Sequence, residues 1–159
     1  MTRFLLLVGA AIVSWSPFAA AIESLPNAAS EQQAVEQWRA ARVAELTGEQ
    51  GWLTLVGLFW LDQGDNSFGR AASNRLVLDH PALASKAGTF ALDSSGVHFT
   101  ARRGSGITHA GQPVSKVDMV MDSQGEPTVL SSGSLRFFVI ERSGKIGVRV
   151  RDVDSPRRR

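Results

Sequence analysis

The sequence predicts a mainly β protein, an antiparallel β-sandwich preceded by one amphipathic α-helix. Helical periodicity is confined to one stretch, from Ser30 to about Thr47. From Trp52 onward short apolar segments recur: "WLTLVGLFWL", "NRLVL", "GTFAL", "VHFTA", "VDMVM", "LRFFVIE" and "IGVRVR". Turn signals separate them, among them "DQGDN", "DSSG", "RRGSG", "DSQGEP" and "RSGK". Short strands at regular spacing with no second helix are the pattern of a sandwich or barrel.

In chain order, residues 1–21 read as a secretory signal peptide. Arg3 gives a positive start, Phe4 to Trp15 form the apolar stretch, Pro17 breaks it, and Ala19 to Ala21 supply small residues for cleavage after Ala21. The apolar stretch is too short to span a bilayer comfortably. Export to the periplasm or the extracellular space, with no membrane attachment after cleavage, is therefore expected. Residues 22–29 form a polar entry segment. Residues 30–50 form the helix: "SEQQ" fits a capping box with Ser30 as N-cap and Gln33 reaching back, and Gly48 or Gly51 ends it. Val35, Trp38, Ala41 and Leu46 share one face, with Arg39 and Arg42 near it. The helix is expected to lie on the sandwich through Trp38 and Leu46. Residues 51–152 form the sandwich. "GWLTLVGLFWLDQGDNSFG" opens it as a buried strand bent near Gly57, with Trp52 and Trp60 in the core. "FFVIERSGKIGVRVR" is its clearest hairpin, turning at Ser143-Gly144. Residues 153–159 are a basic tail.

Composition narrows the function. The 159 residues are 43% apolar and 20% charged, with a formal net charge of +2. Three of the basic residues are Arg157 to Arg159, and without them positive and negative charge nearly balance. That is no nucleic-acid footprint. There is no cysteine, which excludes disulfides, thiol catalysis and thiolate metal sites. His80, His98 and His109 lack metal-ligand spacing, so neither a metal nor another cofactor is expected. No G-x-S-x-G elbow, Walker loop or dinucleotide fingerprint occurs. "RRGSGITHAG" is Gly-rich but lies between strands, so no helix N-terminus awaits a phosphate there. "DQGDN" offers oxygen ligands, but its spacing does not match an EF-hand loop and a solvated turn accounts for it better. Arg39 and Arg42 suit either a clamp on a carboxylate or phosphate, or local pairs with Glu36 and Glu45.

"EQWRAARVAELTGEQGWLTLVGLFWLDQGDNSFGRAASNRLVL", "GTFAL…GVHF" and the stretch from "GEPTVL" to R-V-R-D-x-x-S-P resemble the bacterial family catalogued as domain of unknown function 1684. The resemblance implies a longer chain with a second β-rich half. This chain is thus expected to be truncated, with Arg157 to Arg159 at the junction. It implies no activity.

Within that stretch, Gly69-Arg70, Asn74 to Leu78 and "GSGITHAGQPV" are similar to forkhead-associated (FHA) domains. This implies an FHA-like sandwich with loops at one end able to bind something. In that pattern a serine is followed three residues on by histidine, and an asparagine precedes a glycine. Here Ser85 is followed by Gly88, and Ala110 replaces the asparagine. These departures, and export, argue against phosphothreonine peptides as partners.

The expected function is a non-enzymatic module binding a small molecule or protein. Its candidate ligand residues are Arg39, Arg42, Asn66, Arg70, Asn74, Arg149 and Arg151, with Asp65 beside Asn66. The alternative is the N-terminal portion of an enzyme, possibly hydrolytic, to which Arg39, Arg42 or Asp152 would contribute substrate-positioning groups.

Overall fold

The computed structural model describes residues 28–158, and the signal peptide and most of the polar entry segment lie outside them. The chain divides into two units, Met1–Glu36 and Gln37–Arg159. In the first, the described residues are helical, and Gln32 Nε2 donates to Glu36 Oε1 at 3.1 Å. Everything below concerns the second.

Helix α1 spans Ala28–Thr47. Ser30 therefore lies inside the helix and is not its N-cap. A 3₁₀ turn at Trp52–Thr54 leads into strand β1 (Leu55–Trp60). There follow β2 (Gly64–Gly69), β3 (Leu76–Val77), β4 (Gly88–Asp93), β5 (Gly96–Ala101), β6 (Thr108–His109), β7 (Gln112–Pro113) and β8 (Lys116–Met119). Strands β9 (Leu130–Ser132), β10 (Leu135–Arg142) and β11 (Lys145–Asp152) complete the set, and Pro156–Arg158 form a final 3₁₀ turn.

The strands make two sheets. One has the order β1-β11-β10-β9-β6-β7, the other β3-β2-β4-β5-β8. Every pairing is antiparallel except β2 with β3, where Phe68 faces Leu76 in parallel register. The mainly β sandwich expected from the turn spacing is the fold observed, with that one parallel pair added.

Alternation fills the space between the sheets. On β10, Leu135, Phe137 and Val139 point inward, and on β11, Val148 and Val150 do so. Phe68, Phe90 and Phe99 face them from β2, β4 and β5, all fully buried. Phe137 meets Phe68 at a 5.4 Å centroid distance, Phe99 at 6.0 Å and Phe90 at 6.3 Å. These tilted, edge-to-face contacts suit the ring quadrupoles. The β10–β11 hairpin turns where the sequence marks it: Ser143 and Gly144 have φ of 50° and 73°, as a two-residue type I′ turn requires.

Two expectations about packing are corrected. Trp52 is 67% exposed and Trp60 43% exposed, so neither is a core residue. Trp52 belongs to the 3₁₀ turn, and β1 is an edge strand. A bulge between Leu55 and Gly57 shifts the alternation, so Val56 and Phe59 both pack inward while Leu58 and Trp60 face outward. The bend near Gly57 is this bulge. The helix, in turn, does not lie on the sandwich through Trp38, which is 66% exposed, and Val43 is exposed too. Its last turn is held instead by polar contacts. Thr47 Oγ1 donates to the Val43 carbonyl at 2.8 Å, and Arg158 Nε donates to the Thr47 carbonyl at 2.6 Å. A cation at the helix C-terminus also complements the helix dipole. Arg158 further contacts the Val153 carbonyl through Nη1, which fixes the turn it sits on.

Phe137→Ala is expected to lower stability by about 3–5 kcal/mol, and Trp52→Ala by no more than about 0.5 kcal/mol. Chemical denaturation of both variants checks this; equal losses would contradict the packing described.

Candidate functional site

Three chain segments meet at one end of the five-stranded sheet. Phe68 lies opposite Gly88, and Gly88 opposite Ala101, so the segments after β2, before β4 and after β5 converge. Gly69 allows their close approach: an added Cβ would stand 2.5 Å from the Ser85 carbonyl oxygen and 2.8 Å from Asn74 Nδ2. Backbone bonds knit the segments together. The N–H of Arg70 donates to the Ala84 carbonyl at 3.0 Å, and that of Ala71 to the Ser85 carbonyl at 2.9 Å. The N–H of Ala87 donates to the Phe68 carbonyl at 2.8 Å, and that of Arg102 to the Ala87 carbonyl at 2.9 Å.

The resulting shallow pocket has a volume of about 360 Å³. Its polar lining is Ser85, Lys86, Arg102, Arg103 and Ser105, with no carboxylate. An adjoining depression of about 210 Å³ shares Lys86 and Arg102 and adds the hydroxyl residues Ser67, Thr89 and Thr100. Exposed Arg70 directly precedes Ala71 of the pocket wall. Among the described residues, none of Arg70, Lys86, Arg102 and Arg103 forms an ion pair with a carboxylate. Cations flanked by hydroxyls form strong, charge-assisted hydrogen bonds to an oxyanion.

The residues singled out from the sequence divide into three groups. Arg70 and Asn74 belong to this end of the sheet. Asn74 is buried and works from behind the pocket: its Nδ2 donates to the Ser85 carbonyl at 2.7 Å and to the Ala71 carbonyl at 2.8 Å. It holds the loop and also lines the adjoining depression. Asn66 is fully buried and builds the turn after β1. Its Oδ1 accepts from the Asp62 N–H at 3.0 Å, and its Nδ2 donates to the carbonyls of Asp62 (2.8 Å), Gly64 (2.9 Å) and Phe90 (3.3 Å). Asp62 in the same turn is paired with Arg75, and Asp65 is exposed. Arg39 and Arg42 stay on the helix, where Arg42 Nη1 meets Glu45 Oε2 at 2.8 Å, the local pairing. Arg149 and Arg151 lie on β11 in the other sheet.

Asp152 is buried and organises the chain around it. Burial opposes its ionisation, but hydrogen bonds from the Ser134 hydroxyl and the Asp154 N–H, with His80 nearby, outweigh this and hold its pKa below the usual carboxylate value. His80 Nε2 stands 3.4 Å from its Oδ2.

Sequence reasoning missed Lys86, Arg102 and Arg103. The signal was present in "RRGSG", a basic pair at a turn, but the partner segment carrying Ser85-Lys86 is joined to it only by sheet register. Reasoning from spacing also missed a network on the β4–β5 hairpin. His98 faces Asp118 across β5 and β8, with Nδ1 2.6 Å from Asp118 Oδ1. Ser95 Oγ lies 2.8 Å from His98 Nε2 and 2.5 Å from Asp93 Oδ1. The order serine, histidine, aspartate is that of a nucleophilic triad. Here, however, the serine proton goes to Asp93, which leaves the Ser95 oxygen to accept from His98. That arrangement suits an imidazolium donating from both nitrogens, not a base. The hydrogen bond to Asp118 raises the His98 pKa, with Asp93 adding to it. Hydrogen bonds from Ser95, then the charge of His98, lower the Asp93 pKa.

No family model matches the chain, and no curated protein matches it. Among solved structures the chain is similar to an FHA domain studied for phosphothreonine-dependent interactions. Identity is 17%, covering 62% of this chain and 96% of that one, with a TM-score of 0.41. It is also similar to the FhaA FHA domain solved in complex with the intracellular domain of another protein, at 15% identity over 59% of this chain and 97% of that one, TM-score 0.35. The likeness to FHA domains is distant. The expectation that set phosphothreonine peptides aside is corrected to this extent: the first of these similar domains is one studied for phosphothreonine-dependent interactions.

Asn74→Ala is expected to lower stability by about 1–3 kcal/mol, because the Ser85 and Ala71 carbonyls each lose a buried donor; thermal or denaturant unfolding reads it. The hairpin network predicts a pH dependence of defined sign. The His98 contribution is fully present below the ordinary histidine value of 6.5 and is lost as pH rises through its raised folded value. The Asp93 contribution is present above 3.8 and is lost as pH falls through its lowered folded value. In an NMR titration, Asp118→Asn is expected to move the His98 midpoint down, and an unmoved midpoint would exclude the network.

Proposed function

We propose that this chain is a non-enzymatic β-sandwich binding module whose loop-end pocket takes a doubly charged oxyanion, a phosphoryl group on a protein or small molecule fitting best. One observation carries the reading: Lys86, Arg102 and Arg103 line a single pocket with the Ser85 and Ser105 hydroxyls and no carboxylate. A dianion neutralises most of that charge, whereas a neutral ligand leaves the three cations facing each other. Exposed Arg70, next in sequence to Ala71 of the pocket wall, offers a further guanidinium for a peptide carrying the group. Phosphothreonine, on which the interactions studied for the similar FHA domain depend, is one member of this class.

The same reading takes the segment 1–21 as an export signal and the resemblance to domain of unknown function 1684 as a relationship that brings no activity with it. The ligand would then be an anionic group met outside the cytoplasm.

The test is a titration of the full chain with a phosphothreonine peptide, its unphosphorylated counterpart and inorganic phosphate, at low and at physiological salt. Binding of the phosphorylated peptide and of phosphate is expected, weakening as salt rises. The double variant Lys86→Ala/Arg102→Ala is expected to bind about tenfold or more weakly, as loss of charge-assisted hydrogen bonds implies. Equal binding of the two peptides, or an unaffected double variant, would refute the reading.

A further inference from the structure

A cluster of arginines lies on the outer face of the six-stranded sheet. Arg136 of β10 and Arg151 of β11 are direct cross-strand partners, and Arg149 is opposite Phe138 one step along the same face. Like charges placed directly opposite each other destabilise a sheet. Among the described residues, none of the three arginines has a carboxylate in ion-pair contact. Asp122, whose carboxyl feels the charge of Arg149, is already engaged by Arg142 at 2.6 Å.

Arg136 and Arg151 line one groove of about 440 Å³. Arg136 Nη1 is pinned by the carbonyls of Gly133 at 2.7 Å and Leu135 at 2.9 Å, which fixes the guanidinium plane. The Arg151 guanidinium carbon sits 5.3 Å from the Phe138 ring centroid, a cation–π contact. Its Nε is buried and has no hydrogen-bond partner. An unsatisfied buried donor on a charged group is costly. Burial, and then Arg149, also make the Arg151 cation less favourable than in water.

The rest of the lining sets the ligand class. Phe138, Pro127, Val129 and Val153 form an apolar wall, while Glu49 and Glu126 stand at the groove as exposed carboxylates. The two carboxylates balance the two arginines, so this groove lacks the net positive charge that a dianion needs, unlike the loop-end pocket. We propose that the groove between Arg136 and Arg151 is a second binding site, taking an organic monocarboxylate whose apolar body lies against Phe138 and Val153. The carboxylate accepts from the two guanidinium groups, and the apolar body leaves water for the wall.

Hexanoate is the probe, with hexylamine and inorganic phosphate as comparisons, and the full chain is followed by NMR. Saturable shifts are expected with hexanoate at the Arg151 side-chain N–H and the Phe138 ring, and not with hexylamine. Arg151→Gln and Arg136→Gln are each expected to weaken hexanoate binding about tenfold or more. Arg136→Gln leaves the buried donor untouched and so answers the question even where Arg151→Gln unfolds the sheet. Lys86→Ala is expected to change nothing here, which separates this site from the loop-end pocket. The proposal is overturned if hexanoate fails to saturate, if both glutamine variants bind as the native chain does, or if equimolar phosphate displaces hexanoate.

Discussion

Phe137 is the contact on which the two sheets depend. It is the ring of the six-stranded sheet that touches Phe68, Phe90 and Phe99 of the other, and all four are fully buried. With no cysteine in the chain, no covalent bridge shares the work. The phenyl cluster sets which face of each strand is inside, and every outward position follows from it. Arg136, Phe138, Arg149 and Arg151 share the outer face because Leu135, Phe137, Val148 and Val150 have taken the inner one.

Buried polar side chains then convert a stack of strands into defined loop ends. Asn66 within β2, Asn74 in the loop before β3 and Asp152 at the end of β11 each add hydrogen bonds to backbone groups of the neighbouring turn. Polar residues near family-like turns attract attention as ligand groups. In this fold Asn66 and Asn74 hold backbone carbonyls in place, and exposed cations stand beside Asn74.

The sheet was legible because its turns are written locally. Ser143-Gly144 and the alternation through β11 need only neighbouring residues to be read, and the structure follows them. The helix face and the Trp52–Trp60 run were not legible in the same way. Trp38 and Leu46 share a helical face by spacing, but spacing does not say whether a partner surface exists. The apolar run is split by a bulge and ends on a sheet edge, so half of it faces out. The loop-end pocket was half visible. Arg70 and "RRGSG" stand out singly, but Lys86 joins Arg102 only through the β2–β4–β5 register, a relation between distant segments. Asp118 beside His98 was hidden for the same reason.

The bond from Arg158 to the Thr47 carbonyl joins residues 111 positions apart. The α1 end and the last turn thereby close a loop containing every strand, and loop closure of that length is entropically unfavourable until the sandwich has already brought the ends together. The bond therefore costs least in chain entropy once both sheets have docked. Until then the final turn of α1 lacks the cation that bonds its Thr47 carbonyl. The protection of its last amides from hydrogen exchange would thus report completion of the whole sandwich rather than the local strength of the helix.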